Sequence, residues 1–346
     1  MIDFRYHVVS IVAVFLALTV GLVLGASFLR SEEVSLLTNQ ITNANNAKNS
    51  LQTDNRSLTA TNKQLGDYID ETSNNLVSNQ LYNDYVVVVR IAGDDEASAN
   101  ATLALAKRAA ATITADVTVN ATFTDASSTD ELNQLLAQYT PTGQSVGGGD
   151  TVSKAMNLLA DALTAQATAG TGTGSSTGAS SSASPSATAT PTAMTADWSV
   201  RTLKAFKDIG VIAVNTMPTA ADMTKPTAAF IAAPAGSAAD AQNQAYVTLA
   251  QALHSAGVGP VVGGLTAATG TGGLIAAVLK NTTAAKTVST VSDVDQTIGQ
   301  VAVVFVLYQE SANATGAAGH YGTTGSNDGL LPKLPSLQVP SPSASG

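Results

Sequence analysis

The chain has 346 residues, room for one large domain or two ordinary ones. With 25 acidic against 16 basic side chains its net charge is −9, which argues against a nucleic-acid partner, because displacing counterions takes a basic stripe. Cysteine is missing and histidine occurs only at His7, His254 and His320, so disulfides and thiolate chemistry are excluded and clustered-histidine chemistry nearly so.

The first element is apolar. No charge interrupts Val8–Leu29, 22 residues that would measure about 33 Å as a helix at ~1.5 Å per residue. That matches a hydrocarbon core of ~30 Å, whereas a signal-peptide core is roughly 7–15 residues. A small-residue pattern at Gly25-Ala26-Ser27 keeps cleavage open as the alternative, although Leu24 stands where a small residue would be wanted. Length favours an anchor that is retained. Arg5 before the span and Arg30 after it leave the positive-inside rule only slightly in favour of a cytoplasmic N-terminus.

Beyond Arg30 the period changes to seven. Val34, Ile41, Lys48, Asn55, Asn62, Ile69 and Leu76 form one series, and Leu37, Ala44, Leu51, Leu58, Leu65 and Thr72 a second, three residues later. This is a 3-4 seam with the first series at a and the second at d. Leucine at d with Asn55 and Asn62 at a predicts a parallel two-stranded coil, hence a homodimer. The alternative is a single amphipathic helix packed on the downstream domain. The interface residues are Val34, Leu37, Ile41, Leu51, Asn55, Leu58, Asn62, Leu65, Ile69 and Leu76.

Then strands and helices alternate. Leu81–Gly93, with four consecutive valines, reads as a central strand apolar on both faces. A helix is expected from Asp94 to about Ile113, a strand over Ala115–Asp125, a helix over Thr129–Tyr139 with Thr or Asp as N-cap, and another over Asp150–Gln166. The stretch from Ala167 to about Thr195 is almost wholly Ala, Gly, Ser, Thr and Pro and cannot bury a core, so it reads as disordered. Structure is expected to resume with a helix over Asp197–Gly210 and strands at Val211–Asn215 and Thr227–Pro234. A helix over Ala238–Gly257, a strand at Val258–Thr266, a helix over Gly272–Asn281, a strand at Thr287–Val291 and a long apolar helix over Asp293–Asn313 follow. The alternation predicts a mostly parallel α/β sheet with helices on both faces, the Ser/Thr/Pro-rich segment being an insertion in one crossover. The organisation is therefore a membrane anchor over 1–30, a coiled coil over 31–82, one α/β domain in two parts, 83–166 and 196–325, a disordered linker over 167–195 and a disordered tail over 326–346.

Chemical motifs are sparse. The glycines of Gly263–Lys280 do not make G-x-G-x-x-G, and tight turns explain them better than a phosphate site. Met156, Met194, Met217, Met223, His254 and His320 show no paired spacing of the kind a soft metal wants. No G-x-S-x-G precedes a histidine, and no catalytic signature is visible, so the chain reads as a non-enzyme without a resident cofactor. "GHYGTTG" places His320 and Tyr321 between glycines, either as a docking loop or as a cap on the sheet.

The opening "MIDFRYHVVSIVAVFLALTVGLVLG" resembles the N-terminus of the actinobacterial MctB-type copper transporter family, as do "VVVVR", "VSTVSDVDQTIGQVAVVFVLYQ" and the terminal "GHYG" with Gly325 and Pro332. The resemblance implies a cell-envelope protein of copper efflux and homeostasis, with copper as transported ion and no copper-ligand motif to carry over. A related branch resembles the SteB-type periplasmic coiled-coil proteins, which implies the alternative: a non-enzymatic, membrane-anchored dimeric scaffold that regulates cell separation or envelope assembly through a protein partner. On either reading the chain crosses the cell membrane once and its C-terminal part is exported.

Overall fold

The computed structural model describes residues 4–165, 194–219, 223–313, 316–324 and 328–332, with the side chains of residues 4 and 26–34 left aside. The linker and tail expected to be disordered lie outside the described residues, except for 194–195 and 328–332; Gly325 and the Val34 side chain lie outside them too. The chain divides into two compact units, Met1–Asp67 and Tyr68–Gly346.

One helix, α1 (Phe4–Val77), supplies the described residues of the first unit and the opening turns of the second. It stops where Asn79 and Asn83 take left-handed backbone angles (φ 59° and 67°), a conformation asparagine tolerates better than most residues. In its last turns Ser73 and Val77 are buried, as is Leu81 just beyond, so the α/β unit starts inside the segment read as coiled coil rather than at residue 83.

Among the described residues the second unit is built on seven strands: β1 (Tyr85–Ile91), β2 (Thr112–Val119), β3 (Ile212–Thr216), β4 (Ala228–Ala232), β5 (Gly259–Gly263), β6 (Ser289–Val291) and β7 (His320–Tyr321). Their order is β3-β2-β1-β4-β5-β6-β7. Its helices are α2 (Glu96–Arg108), α3 (Thr129–Tyr139), α4 (Thr151–Thr164), α5 (Ala196–Asp208), α6 (Asp240–Ser255), α7 (Leu274–Lys280), α8 (Ala284–Thr287) and α9 (Thr297–Ala312). β1 pairs with β2 on one side and β4 on the other, so the chain before and after the Ser/Thr/Pro-rich segment builds one sheet.

The four valines of β1 behave as a doubly covered strand must. Val87, Val89 and Ile91 join the core under α3–α7, while Val86 and Val88 join the core under α2, α9 and the end of α1. Every strand pair is parallel except one: β3 runs antiparallel to β2 at the sheet edge. The physical reason is where the chain arrives. The Asn120 amide, at the exit of β2, donates to the Val211 carbonyl just before β3 (2.9 Å), so α5 delivers the chain to the end of the sheet at which β2 leaves it. β3 is also half open to solvent, with Ala213, Asn215 and Thr216 exposed, as an edge strand allows.

Other boundaries shift for local reasons. α2 ends at Arg108, not near Ile113: Ala110 is left-handed (φ 71°) and the β-branched run Thr112-Ile113-Thr114 has already joined β2. Asp95, Asp150 and Thr195 cap α2, α4 and α5 by accepting from the amides of Ser98, Ser153 and Trp198. At α3 the N-cap is Ser128 rather than Thr129 or Asp130, and it makes no cap bond because its hydroxyl donates to the Thr122 carbonyl (2.7 Å).

Candidate functional site

Two features of the first unit leave apolar side chains exposed. The stretch Arg5–Gly25 has a mean hydropathy of 2.7 and buries none of its side chains. Its 21 residues make about 32 Å of helix, long and apolar enough to cross a bilayer, and no other helix among the described residues is. Thr19 breaks the apolar surface only in composition: its hydroxyl donates to the carbonyls of Phe15 (2.7 Å) and Leu16 (3.0 Å), so that donor is satisfied within the helix.

The second feature is the heptad seam. Leu37, Ile41, Leu51, Leu58 and Leu65 are each 56–68% exposed, and Asn55 and Asn62 are exposed on the same helix. The polar side chains around them are largely satisfied locally. Thr42, Thr53, Thr59 and Thr72 donate to the carbonyl four residues back, and Lys63 pairs with Asp67 at 2.8 Å one turn on. What lacks company is the apolar row. At its end the row and the packed face separate: Ile69 is half-buried and Ser73 and Val77 are buried, while Leu76 remains 43% exposed.

In the α/β unit the residues singled out by chemistry turn out to be packing residues. Met156 and Met223 are buried, and Met194 and Met217 pack partly against the same core as Met156. His320 and Tyr321 form β7 and are buried, so they close the sheet rather than standing in an exposed loop. The Ala285 carbonyl, 2.9 Å from His320 Nε2, can only accept, which places the ring proton on Nε2. The Thr290 hydroxyl then donates to Nδ1 (3.0 Å), and both ring nitrogens are engaged. His254 lies near the end of α6 with a buried Nδ1 that has no partner, and His7 is exposed on α1. Among the described residues no three His, Asp or Glu side chains come together as a metal cage. The glycine-rich loop serves close packing: a Cβ at Gly264 or Gly273 would run into Ala268.

Parallel sheets of this kind offer a ligand crevice where the strand order reverses, here between the ends of β1 and β4. The crevice is closed. Asp94 bridges to Pro234, and Phe230, Ala233, Leu265 and Val294 fill the space, leaving about 10 Å³.

Two polar networks that sequence reasoning missed hold this edge together. Asp293, left-handed at φ 62°, collects four donors: the hydroxyls of Thr266, Ser292 and Thr323 (each 2.6 Å) and the Thr323 amide (2.8 Å). Burial alone would raise its pKa, but these donors together hold the carboxyl below its usual value. Gly299 and Gly322 make room for it, since a Cβ at either would collide with Asp293 or Ser292. The hub thus joins "SDVDQTIG" to "GHYGTTG", two stretches whose contact no local pattern betrays. Across β1 and β2, buried Arg90 donates to Asp116 through Nε and Nη2 (3.1 and 3.3 Å) and to Asn100 (2.8 Å), and Asn215 of β3 completes the set by donating to Asp116 (3.1 Å).

Together these features define a class: a helix of bilayer length, an uncovered heptad row, and a three-layer α/β unit with a mostly parallel sheet whose usual ligand crevice is filled. The chain belongs to the family described as "Copper transport outer membrane protein, MctB", whose model matches residues 1–332. It is 26% identical over 340 residues to the proteins named copper transporter MctB of Mycobacterium tuberculosis and Mycobacterium bovis, with 93% of this chain and 96% of each relative covered.

Proposed function

We propose that this chain serves copper transport and copper tolerance at the cell envelope, held at a membrane by its N-terminal helix with the α/β unit on the exported side. The observation that carries this reading is the family match over residues 1–332, which takes in the apolar helix, the heptad row and the α/β unit together. The relatives named copper transporter match over nearly their whole length, so the reading is not borrowed from one shared module. Copper is cargo here, not a resident cofactor.

The physics constrains how such a role is performed. A single span cannot enclose a path for an ion, and the Thr19 hydroxyl inside it is turned to the backbone. Any path along the helices therefore needs several copies, and the heptad row is the feature suited to bring copies together, as a parallel two-stranded coil through Leu37, Ile41, Leu51, Leu58 and Leu65. The test is deletion of the gene and its return in two forms, intact and with Arg5–Gly25 replaced by a cleaved secretion signal. The reading expects copper-sensitive growth and raised cell copper on deletion, corrected by the intact form only. Unchanged copper tolerance with chained, unseparated cells would overturn it.

That outcome belongs to a second reading, favoured by the exposed heptad row: a non-enzymatic dimeric scaffold that regulates cell separation or envelope assembly by engaging a protein partner. Crosslinked pull-down of the membrane-anchored form, compared between the intact row and a Leu51→Ser/Leu58→Ser variant, tests it directly.

A further inference from the structure

Between α4 and α6 lies an open cleft of about 410 Å³, lined chiefly by Ser145, Val146, Asn157, Asp161, Thr248 and Gln251. Its wall is built. The Asn157 amide donates to the Val146 carbonyl (2.9 Å), and Gly147, left-handed at φ 78°, sits so close that a Cβ there would meet the Asn157 amide nitrogen. Leu158 and Leu159 of α4 and Leu249 of α6 are fully buried in one core, so the two flanking helices are packed together.

Three of the donors around the cleft are engaged within the protein. Asn157 donates to Val146, Thr248 to the Gln244 carbonyl (2.9 Å) and Ser255 to the Gln251 carbonyl (2.9 Å). Facing the cleft are hydroxyl lone pairs, the neutral side-chain amides of Asn157 and Gln251 and, as its one charged group, the Asp161 carboxylate. Among the described residues Asp161 has no hydrogen-bond donor and no cation, and no Lys, Arg or His lines the cleft. Burial by itself pushes its pKa up to about 6, so at neutral pH the carboxylate is ionised, poorly solvated and unmatched.

We propose that this cleft binds a primary ammonium group, supplied by a small amine or by a lysine side chain of a polypeptide, with the Asp161 carboxylate as its counter-ion. One carboxylate among neutral polar groups that offer acceptor oxygens suits the three donors and single charge of an ammonium. A hard divalent cation would gather several carboxylates and six or more oxygens, which this cleft does not offer. The site is separate from the membrane helix and the heptad row and does not depend on the copper reading.

The test uses the full chain in detergent micelles, with butylammonium and capped lysine (N-acetyl-lysine amide) as probes and carboxyl NMR as the readout. Saturation with butylammonium should lower the Asp161 pKa by about 1 unit or more, as an opposite charge in contact does. Asp161→Asn should weaken probe binding at least ~10-fold, as loss of a charge-assisted contact does, while Asp208→Asn, at an exposed ion pair with Lys204, should leave it unchanged. A response to capped lysine alone would assign the source to a polypeptide, and an equal response to both probes to free amines. An unmoved Asp161 titration with either probe, a shift produced by Mg²⁺ and not by the amines, or equal binding by Asp161→Asn would each overturn the proposal. The wild-type titration decides the matter even if the variant fails to fold.

Discussion

The two units use the same residues in opposite ways. In α1 the valines and leucines of Arg5–Gly25 and the leucines of the heptad row stand exposed along the helix, while in the α/β unit the valines of β1 and of α9 are buried on every side. Periodicity separates them. α9 is apolar all round because it lies in a core, Arg5–Gly25 is apolar all round with no core to enter, and the heptad row is a narrow stripe. The first unit leaves its apolar side chains exposed, whereas the second buries its own.

The sharpest way to break that comparison is charge in the apolar helix. Val12→Asp/Leu16→Asp places two charges mid-span, each opposed by about 2.5–3.5 kcal/mol, so the protein should move from the membrane to the soluble fraction on ultracentrifugation. Retention would mean that the α/β unit carries membrane affinity of its own. Next in size is the buried ion pair of the second unit. Arg90→Met leaves Asp116 desolvated without its cation and should destabilise the unit by about 3–5 kcal/mol in urea unfolding, and adding Asp116→Leu should restore most of it.

Glu310 comes third. It is buried on α9, where the hydroxyl of Ser289 donates to it at 2.5 Å, and burial raises its pKa from 4.5 to about 7 against that donor. A carboxyl whose pKa is raised on folding holds a proton that the unfolded chain releases. Its contribution is therefore complete below about pH 4.5 and lost as pH rises to about 7. Glu310→Gln should remove that loss, a gain of up to about 3 kcal/mol at pH 8, and flatten unfolding midpoints between pH 5 and 8. Asp293 has the opposite sign: its contribution is present above its ordinary titration range and fades as acid protonates it. The smallest effect on the α/β unit is expected from Leu51→Ser/Leu58→Ser. Its unfolding should stay within about 0.5 kcal/mol of wild type, while sedimentation equilibrium shows weaker self-association. A large loss of stability would place the row against this chain's own core.

Much of the fold was legible because it rests on local patterns: the 22-residue apolar run, the four valines of β1 and the alternation of strands and helices after it. The site was legible only in its repeating parts. Asp293 meets Thr266 and Thr323 from 27 and 30 residues away, and Arg90 meets Asp116 from 26, distances over which no pattern speaks. The glycines around His320 and Tyr321 left a docking loop and a cap on the sheet equally open, and pairing with β6 makes the two residues the last strand.

By itself, then, the amino-acid sequence determined most of the helices and strands, where the apolar surfaces lie and which family the chain resembles, since propensity, hydropathy and period act over a few residues. Tertiary structure alone decided that β3 turns back antiparallel, that the crevice between β1 and β4 is filled, that the histidine of β7 is engaged at both nitrogens, and that Asp161 faces a cleft without a cation. Those outcomes depend on which distant groups share a space, and chain closure and packing set that, not any local preference.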